Sequence, residues 1–142
     1  VDEKREIYEI TDNPRKERAT AILNALAVMR GGAKMAQFAI DVAPKTVILA
    51  GLNCGNLIFN DLFEDTKEGP RLKLSTLKEV ISDYASRIVT PVFIGVREGY
   101  LCPESAKELK EWVSVESKEQ EQPEVKLLSP VTAFKDLAEL LP

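Results

Sequence analysis

Histidine is absent from the 142 residues of this chain, and cysteine occurs only twice, at Cys54 and Cys102. The lack of histidine removes the commonest general base and the commonest metal ligand. Two cysteines so far apart in sequence predict neither a zinc site nor a disulfide framework, and we expect two free thiols in a reducing cytoplasm. No apolar run approaches the roughly 20 residues that a membrane helix needs, so we expect no membrane contact.

The charge of the chain is unevenly distributed. The formal net charge is −4, yet residues 13–40 contain five cationic side chains and only one carboxylate. A local basic region on an acidic protein can still bind a polyanion, because salt screens the distant carboxylates and the nearby cations dominate the interaction. The length fits one domain with its own core. Because the chain begins with Val1 rather than methionine, we expect a piece of a longer protein.

A first helix is predicted over residues 14–30. Asn13 suits the N-cap, and Pro14 suits the first helical position, where its missing N–H costs nothing. Apolar residues at helical spacing predict one buried stripe, formed by Ala19, Ile22, Leu23, Leu26 and Ala27. Gly31 and Gly32 follow, and glycine readily adopts the conformation that ends a helix. Before this helix, residues 5–11 alternate apolar and charged side chains and predict a short strand.

The rest of the chain alternates predicted strands and helices. Residues 46–52 and 92–96 are apolar runs rich in β-branched residues, which predicts strands buried on both faces. A second helix is predicted to start at Thr76, with Glu79 completing a capping box, and to stop at Thr90-Pro91. A third covers residues 103–113, and Ser129-Pro130 begins the last. Residues 64–70 are predicted to be surface, and residues 114–126 a mobile linker or exposed loop.

This order predicts an α+β fold with a partial ferredoxin-like or modified RNA-recognition-motif core and appended C-terminal helices. We divide the chain into a partial core at residues 1–113, a charged linker or loop at 114–128, and a C-terminal helix at 129–142 that packs on the core. At least one of the usual four strands is missing. It could precede Val1 or come from residues 57–74.

Cations gather at the start of the first predicted helix, at Arg15, Lys16 and Arg18. The positive end of the helix dipole lies there, so each cation costs a few tenths of a kcal/mol. One interpretation is that these side chains bind an anionic partner such as a phosphate chain. The alternative is a solvated face on which they pair with Glu17 and Asp12.

The segment after this helix has the composition of a phosphate-binding loop. Two glycines let a backbone approach a ligand and expose N–H groups; the candidate residues are Arg30, Gly31, Gly32, Lys34 and Gln37. Such a loop suits sugar-phosphate binding without base readout. It is not a P-loop, because it lacks that motif's spacing. The alternative is a plain Gly-Gly helix cap with a nearby lysine.

Other candidate chemistry favours a structural interpretation. Cys54 lies in a predicted turn with no base beside it. Tyr84 and Trp112 lie at helical core spacing, which favours packing over base stacking. Four carboxylates crowd one segment without the spacing of an EF-hand, at Asp61, Glu64, Asp65 and Glu68. We therefore expect no catalytic activity, no metal site and no cofactor.

The first helix, the loop RGGAKMAQF and the run KTVILAGL together resemble the Cas7 backbone subunit of CRISPR effector complexes. The resemblance is greatest to the archaeal type I-A form, also called Csa2 or the DevR autoregulator family. The stretch SPVTAF at residues 129–134 is similar to the end of that family. The resemblance runs from about Asn13 onward, and its most specific part is the Gly-Gly-Ala-Lys loop with the strand that follows.

The resemblance implies a protein that polymerises along CRISPR RNA and holds its sugar-phosphate backbone. It implies RNA contacts for Arg30, Gly31, Gly32, Lys34 and Gln37, to which the charge pattern adds Arg15 and Arg18. It implies further copies of the chain, Cas5 and other effector subunits as partners, and target DNA recognised through the guide. The family's first core strand and thumb are not recognisable here, which implies the C-terminal part of such a protein. An oligomerising ligand-binding or regulatory module without RNA binding is the alternative.

Overall fold

The structure, a computed structural model, describes residues 12–30, 42–116 and 122–142. Its elements in chain order are α1 (Asp12–Val28), β1 (Thr46–Leu49), β2 (Phe63–Thr66), β3 (Gly69–Leu72), α2 (Leu74–Asp83), β4 (Val92–Val96), α3 (Pro103–Glu116), β5 (Val125–Leu128) and α4 (Pro130–Glu139). The strand predicted at residues 5–11 lies outside these ranges. No helix within them is long and apolar enough to cross a membrane.

A three-stranded sheet in the order β1-β4-β5 organises the described residues. The central strand β4 pairs antiparallel with β1 and parallel with β5. Strands β2 and β3 form a separate antiparallel hairpin. The predicted α+β class is therefore confirmed, and the four helices and the sheets of three and two strands in the described ranges are compatible with a ferredoxin-like core plus C-terminal helices.

Strand β4 is buried on both faces, as its continuous apolar run predicts. Val92 and Ile94 enter the larger hydrophobic cluster, to which α2 and α3 contribute. Phe93 enters a second cluster with Ala133 and Leu137 of α4. Side chains alternate between the faces of a strand, so the sheet is packed between two layers.

Strand β1 is shorter than the predicted strand at residues 46–52, and its side chains are only half-buried. Its pairing with β4 ends at Leu49 and Phe93. Pro91, which precedes β4, has no N–H to donate to a ladder. The N–H of Gly51 instead donates to the hydroxyl of Thr90 at 2.7 Å. Beyond that point Leu52 and Ile88 form an isolated bridge. The carbonyl of Gly51 accepts from the N–H of Val89 at 2.9 Å, so a side-chain hydroxyl and a main-chain N–H together satisfy Gly51 where the ladder has ended.

Helix α2 begins at Leu74, so the capping box predicted at Thr76 and Glu79 is wrong. The helix ends at Asp83, so the stop predicted at Thr90-Pro91 is wrong as well. Lys73 occupies the N-cap position without a side-chain hydrogen bond. Leu77 and Ile81 are fully buried, and packing of this apolar stripe fixes the helix start more strongly than a cap would.

Residues 64–70 are mostly exposed, as predicted, and they contain most of the β2–β3 hairpin. The hairpin is attached by two hydrogen bonds to α3 and to the residue that precedes it. The N–H of Leu72 donates to the buried hydroxyl of Ser105 at 3.0 Å, and the N–H of Cys102 donates to the carbonyl of Pro70 at 2.8 Å. The hairpin therefore covers the core beside the main sheet and supplies no fourth strand to it.

The segment predicted to be a charged linker at residues 114–128 is structured at both ends. Helix α3 continues to Glu116, and Val125–Leu128 is the strand β5. The following helix is confirmed as predicted: the hydroxyl of Ser129 accepts a hydrogen bond from the N–H of Thr132, and Pro130 begins the helix. Phe134, Leu137 and Ala138 form its buried face.

Helix α4 lies against the sheet at Gly95, where the chain has no room for a side chain. A Cβ atom there would lie 2.7 Å from both the Cα of Pro130 and a methyl carbon of Val47. Neither the strand nor the first turn of α4 can withdraw without opening the packed layer.

We expect Gly95→Ala to lower the free energy of unfolding by about 2 kcal/mol, because the added methyl forces α4 off the sheet. Gly55→Ala is the matched control, since nothing lies within 4 Å of its Cβ position. Urea unfolding followed by the fluorescence of the single tryptophan, Trp112, measures both. Equal stability of the two variants would contradict the close approach.

Candidate nucleic-acid interface

Helix α1 carries the candidate cations, and only one of its sides packs against the rest of the protein. Ala27 is buried and Leu23 packs against the cluster beneath α4. Arg15, Lys16 and Arg18 are exposed near the start of the helix, and Arg30 is exposed just beyond its end. All four side chains are therefore available to solvent and to a partner.

The positive charge of α1 is not neutralised within the described part of the chain. Ion pairs occur elsewhere, as in Lys73 with Asp61 at 3.1 Å and Arg71 with Glu108 at 3.6 Å. Neither the α1 cations nor Arg30 forms an ion pair with another described residue. The pairing with Glu17 weighed from the sequence is thus not among the described interactions, and the side chain of Asp12 lies outside what the structure describes.

The structure separates the predicted site into two places. Arg15 and Arg18 lie in the first turns of α1, whereas Arg30 follows Val28, its last residue. A helix of 17 residues at about 1.5 Å per residue is about 25 Å long. A ligand that contacts both ends must be extended, as a nucleic-acid strand is.

The bounds of α1 differ from the prediction at both ends. The helix begins at Asp12, so Asn13 lies inside it and is not its N-cap. It ends at Val28, before the glycines that were expected to end it. The other predicted site residues, Gly31, Gly32, Lys34 and Gln37, lie outside the described residues, and their roles stay predictions.

The predicted buried stripe of α1 is only partly correct. Ile22 is 61% exposed and Leu26 is also exposed, although both belong to the predicted stripe. Among the described elements α1 packs chiefly on α4, and contact with one helix buries a narrow strip. Val28 and Met29 extend the exposed apolar surface toward Arg30.

The sheet offers no open face for stacking bases within the described ranges, because helices cover both sides. The two candidate aromatic side chains also pack inward, as predicted. Trp112 is buried, with the ammonium of Lys78 lying 5.3 Å from its ring centroid, and Tyr84 packs against the core. The exposed cations are therefore the features of the described structure that suit a nucleic acid.

The remaining candidates from the sequence do not assemble into a reactive site within the described part of the chain. Cys54 and Cys102 are free thiols, as predicted. No group of three or more metal-ligating side chains occurs among the described residues. Asp61, one of the crowded carboxylates, forms its ion pair with Lys73 on the exposed side of the hairpin.

Sequence reasoning missed a polar cavity of about 580 Å³ beside the hairpin. Its lining includes Arg71, Lys73 and Lys78, two of them at the end of the unpredicted strand β3. The signal was present, because cations at 71 and 73 alternate with leucines at 72 and 74. That two-residue period is typical of a strand with one buried face, although here only Arg71 and Leu72 belong to β3, and α2 begins at Leu74.

We expect Leu23→Ala to lower the free energy of unfolding by about 1–2 kcal/mol, because it removes the packing of a half-buried leucine side chain. Ile22→Ala is the matched control on the neighbouring position and should change stability by less than about 0.5 kcal/mol. Thermal and urea unfolding measure both variants. The reverse order would mean that α1 is rotated from the orientation described.

Comparison with models of known families, with curated proteins and with solved structures finds no match for this chain.

Proposed function

We propose that this chain is a non-catalytic RNA-binding backbone subunit of a type I CRISPR effector complex. It holds the sugar-phosphate backbone of the guide RNA, and further copies line up along the same strand. The observation that carries the proposal is the group of exposed cations on α1, which have no ion-pair partner among the described residues of a chain whose net charge is −4.

Phosphate binding accounts both for the position of these cations and for their lack of an ion-pair partner among the described residues. Arginine can donate two parallel hydrogen bonds to one phosphate, and release of condensed counterions drives such binding. The dipole penalty at the start of a helix becomes smaller when an anion lies beside the cations. Since phosphate contacts carry no sequence information, selection of the target belongs to the guide.

The partners in this proposal are CRISPR RNA, further copies of the chain, Cas5 and other effector subunits, and target DNA through the guide. The exposed apolar side chains of α1, among them Ile22 and Val28, support contact with a second copy beside the RNA. The two free thiols support a reducing cytoplasm as the site of action.

The alternative is an oligomerising ligand-binding or regulatory module without RNA binding. The exposed apolar surface of α1 fits self-association equally well. The two functions separate in one measurement: a self-associating chain that does not bind single-stranded RNA at low salt supports the alternative and removes the proposal.

We expect Arg15→Gln with Arg18→Gln to weaken binding of a labelled 20-nucleotide single-stranded RNA by about tenfold at low salt. The slope of log K against log salt should fall by about 0.7 for each phosphate that the variant no longer neutralises. Fluorescence anisotropy over a salt series measures both quantities. Lys67→Gln with Arg87→Gln is the control, because it removes the same charge from exposed positions outside α1. Equal weakening in the two variants would leave only a net-charge effect.

We also expect Arg30→Ala with Lys34→Ala to weaken RNA binding, since the loop and the start of α1 contact different phosphates of one extended strand. Affinities for uridine-rich and adenosine-rich RNA should fall by similar factors, because backbone contacts do not read bases. The same anisotropy assay, with Lys67→Ala and Arg87→Ala as control, measures the change. Unchanged affinity would exclude the loop from the RNA path.

A further inference from the structure

A crevice of about 530 Å³ lies where the two parallel strands end. Val96 ends β4 and Leu128 ends β5, and both residues line it. Loops that follow neighbouring parallel strands diverge at this edge, which is why ligands of α/β sheets bind there. The volume is within the range of small-molecule sites.

The floor of the crevice is apolar. Leu101 and Leu109 line it and are 5% and 2% exposed, so their side chains form a fixed bottom that continues into the core. Ala106 and Leu127 complete this surface. Binding of an apolar group to this floor is favourable, because it removes apolar surface from water.

The rim of the crevice is charged. Arg97 and Lys110 lie on it as exposed cations and Glu98 as an exposed carboxylate, which leaves one positive charge in excess. Neither cation forms an ion pair with another described residue. Ser129 also lines the crevice, but its hydroxyl already accepts a hydrogen bond from Thr132. Recognition of charge therefore falls to Arg97 and Lys110.

The loop that forms one wall is held in place before any ligand arrives. The N–H of Arg97 donates to the carbonyl of Lys45 at 2.8 Å, and the N–H of Tyr100 donates to the carbonyl of Arg97 at 3.1 Å. Gly99 has a φ of 77°, a conformation that glycine adopts without strain. A preformed wall lowers the entropy cost of binding.

We propose that this crevice binds a small organic anion whose apolar body lies on Leu101 and Leu109 while its carboxylate or phosphate contacts Arg97 and Lys110. The ligand is separate from RNA, and the site does not depend on the function proposed above. The dimensions suit a body of about ten to fifteen non-hydrogen atoms.

The test is a two-dimensional ¹H–¹⁵N NMR titration of the full chain with 4-phenylbutyrate and with phenyl phosphate. Two further probes remove one feature each: 4-phenylbutan-1-ol has no charge, and butyrate has no aromatic body. We expect saturable shifts at residues 96–110 and 127–129 with both aromatic anions, and at least about fivefold weaker binding of the alcohol and of butyrate. The tighter of the two anions identifies the headgroup.

Variants distinguish the crevice from general surface binding. Arg97→Gln with Lys110→Gln should weaken the aromatic anions about tenfold and leave the alcohol unchanged. Lys107→Gln on the same helix α3 is the matched control, because Lys107 pairs with Glu111 and does not line the crevice. Absence of saturable shifts, shifts spread over the surface, or an equal effect of the control would overturn the proposal.

Discussion

The burial of β4 on both faces is the constraint on which the rest of the structure depends. A strand with Val92, Phe93 and Ile94 almost wholly excluded from water needs a packed layer on each side. One layer is α4, with α1 resting on it, and the other contains α2 and α3. The arrangement is narrowest at Gly95, where helix and strand meet without a side chain between them. The hairpin and its carboxylates lie on the α2–α3 side of the sheet. The cations of α1 lie on the opposite side, with α4.

Sequence reasoning succeeded where one residue pattern determines one structure. The continuous apolar run of β4, the Ser129-Pro130 cap of α4 and the inward Leu109 and Trp112 of α3 were all predictable, because period and capping are local properties. The hairpin was missed because most of its side chains are polar and exposed, and β5 because it follows a carboxylate-rich segment and pairs with β4, which is distant in sequence. The false capping box at Thr76 shows that tertiary packing can override a local signal.

The candidate site was predictable in composition and only partly in geometry. Charge counting and the predicted helix place Arg15 and Arg18 at one end and Arg30 at the other, but no local pattern tells that Ile22 and Leu26 lie outside the core. Those facts depend on how much of α1 the neighbouring helix covers. The crevice at the end of β4 could not be predicted for a similar reason, since Leu127 of its floor belongs to a strand that the preceding carboxylate-rich sequence concealed.

Ser129 is the single residue between β5 and α4, and it has a consequence for how the chain can change in length. With no slack at that junction, an inserted or deleted residue would turn α4 by about 100° and expose its buried face. The tip of the hairpin at Lys67 and Glu68 is exposed, so added residues there extend into solvent. Length variation and attached labels are therefore tolerated at the hairpin tip and excluded at the strand–helix junction.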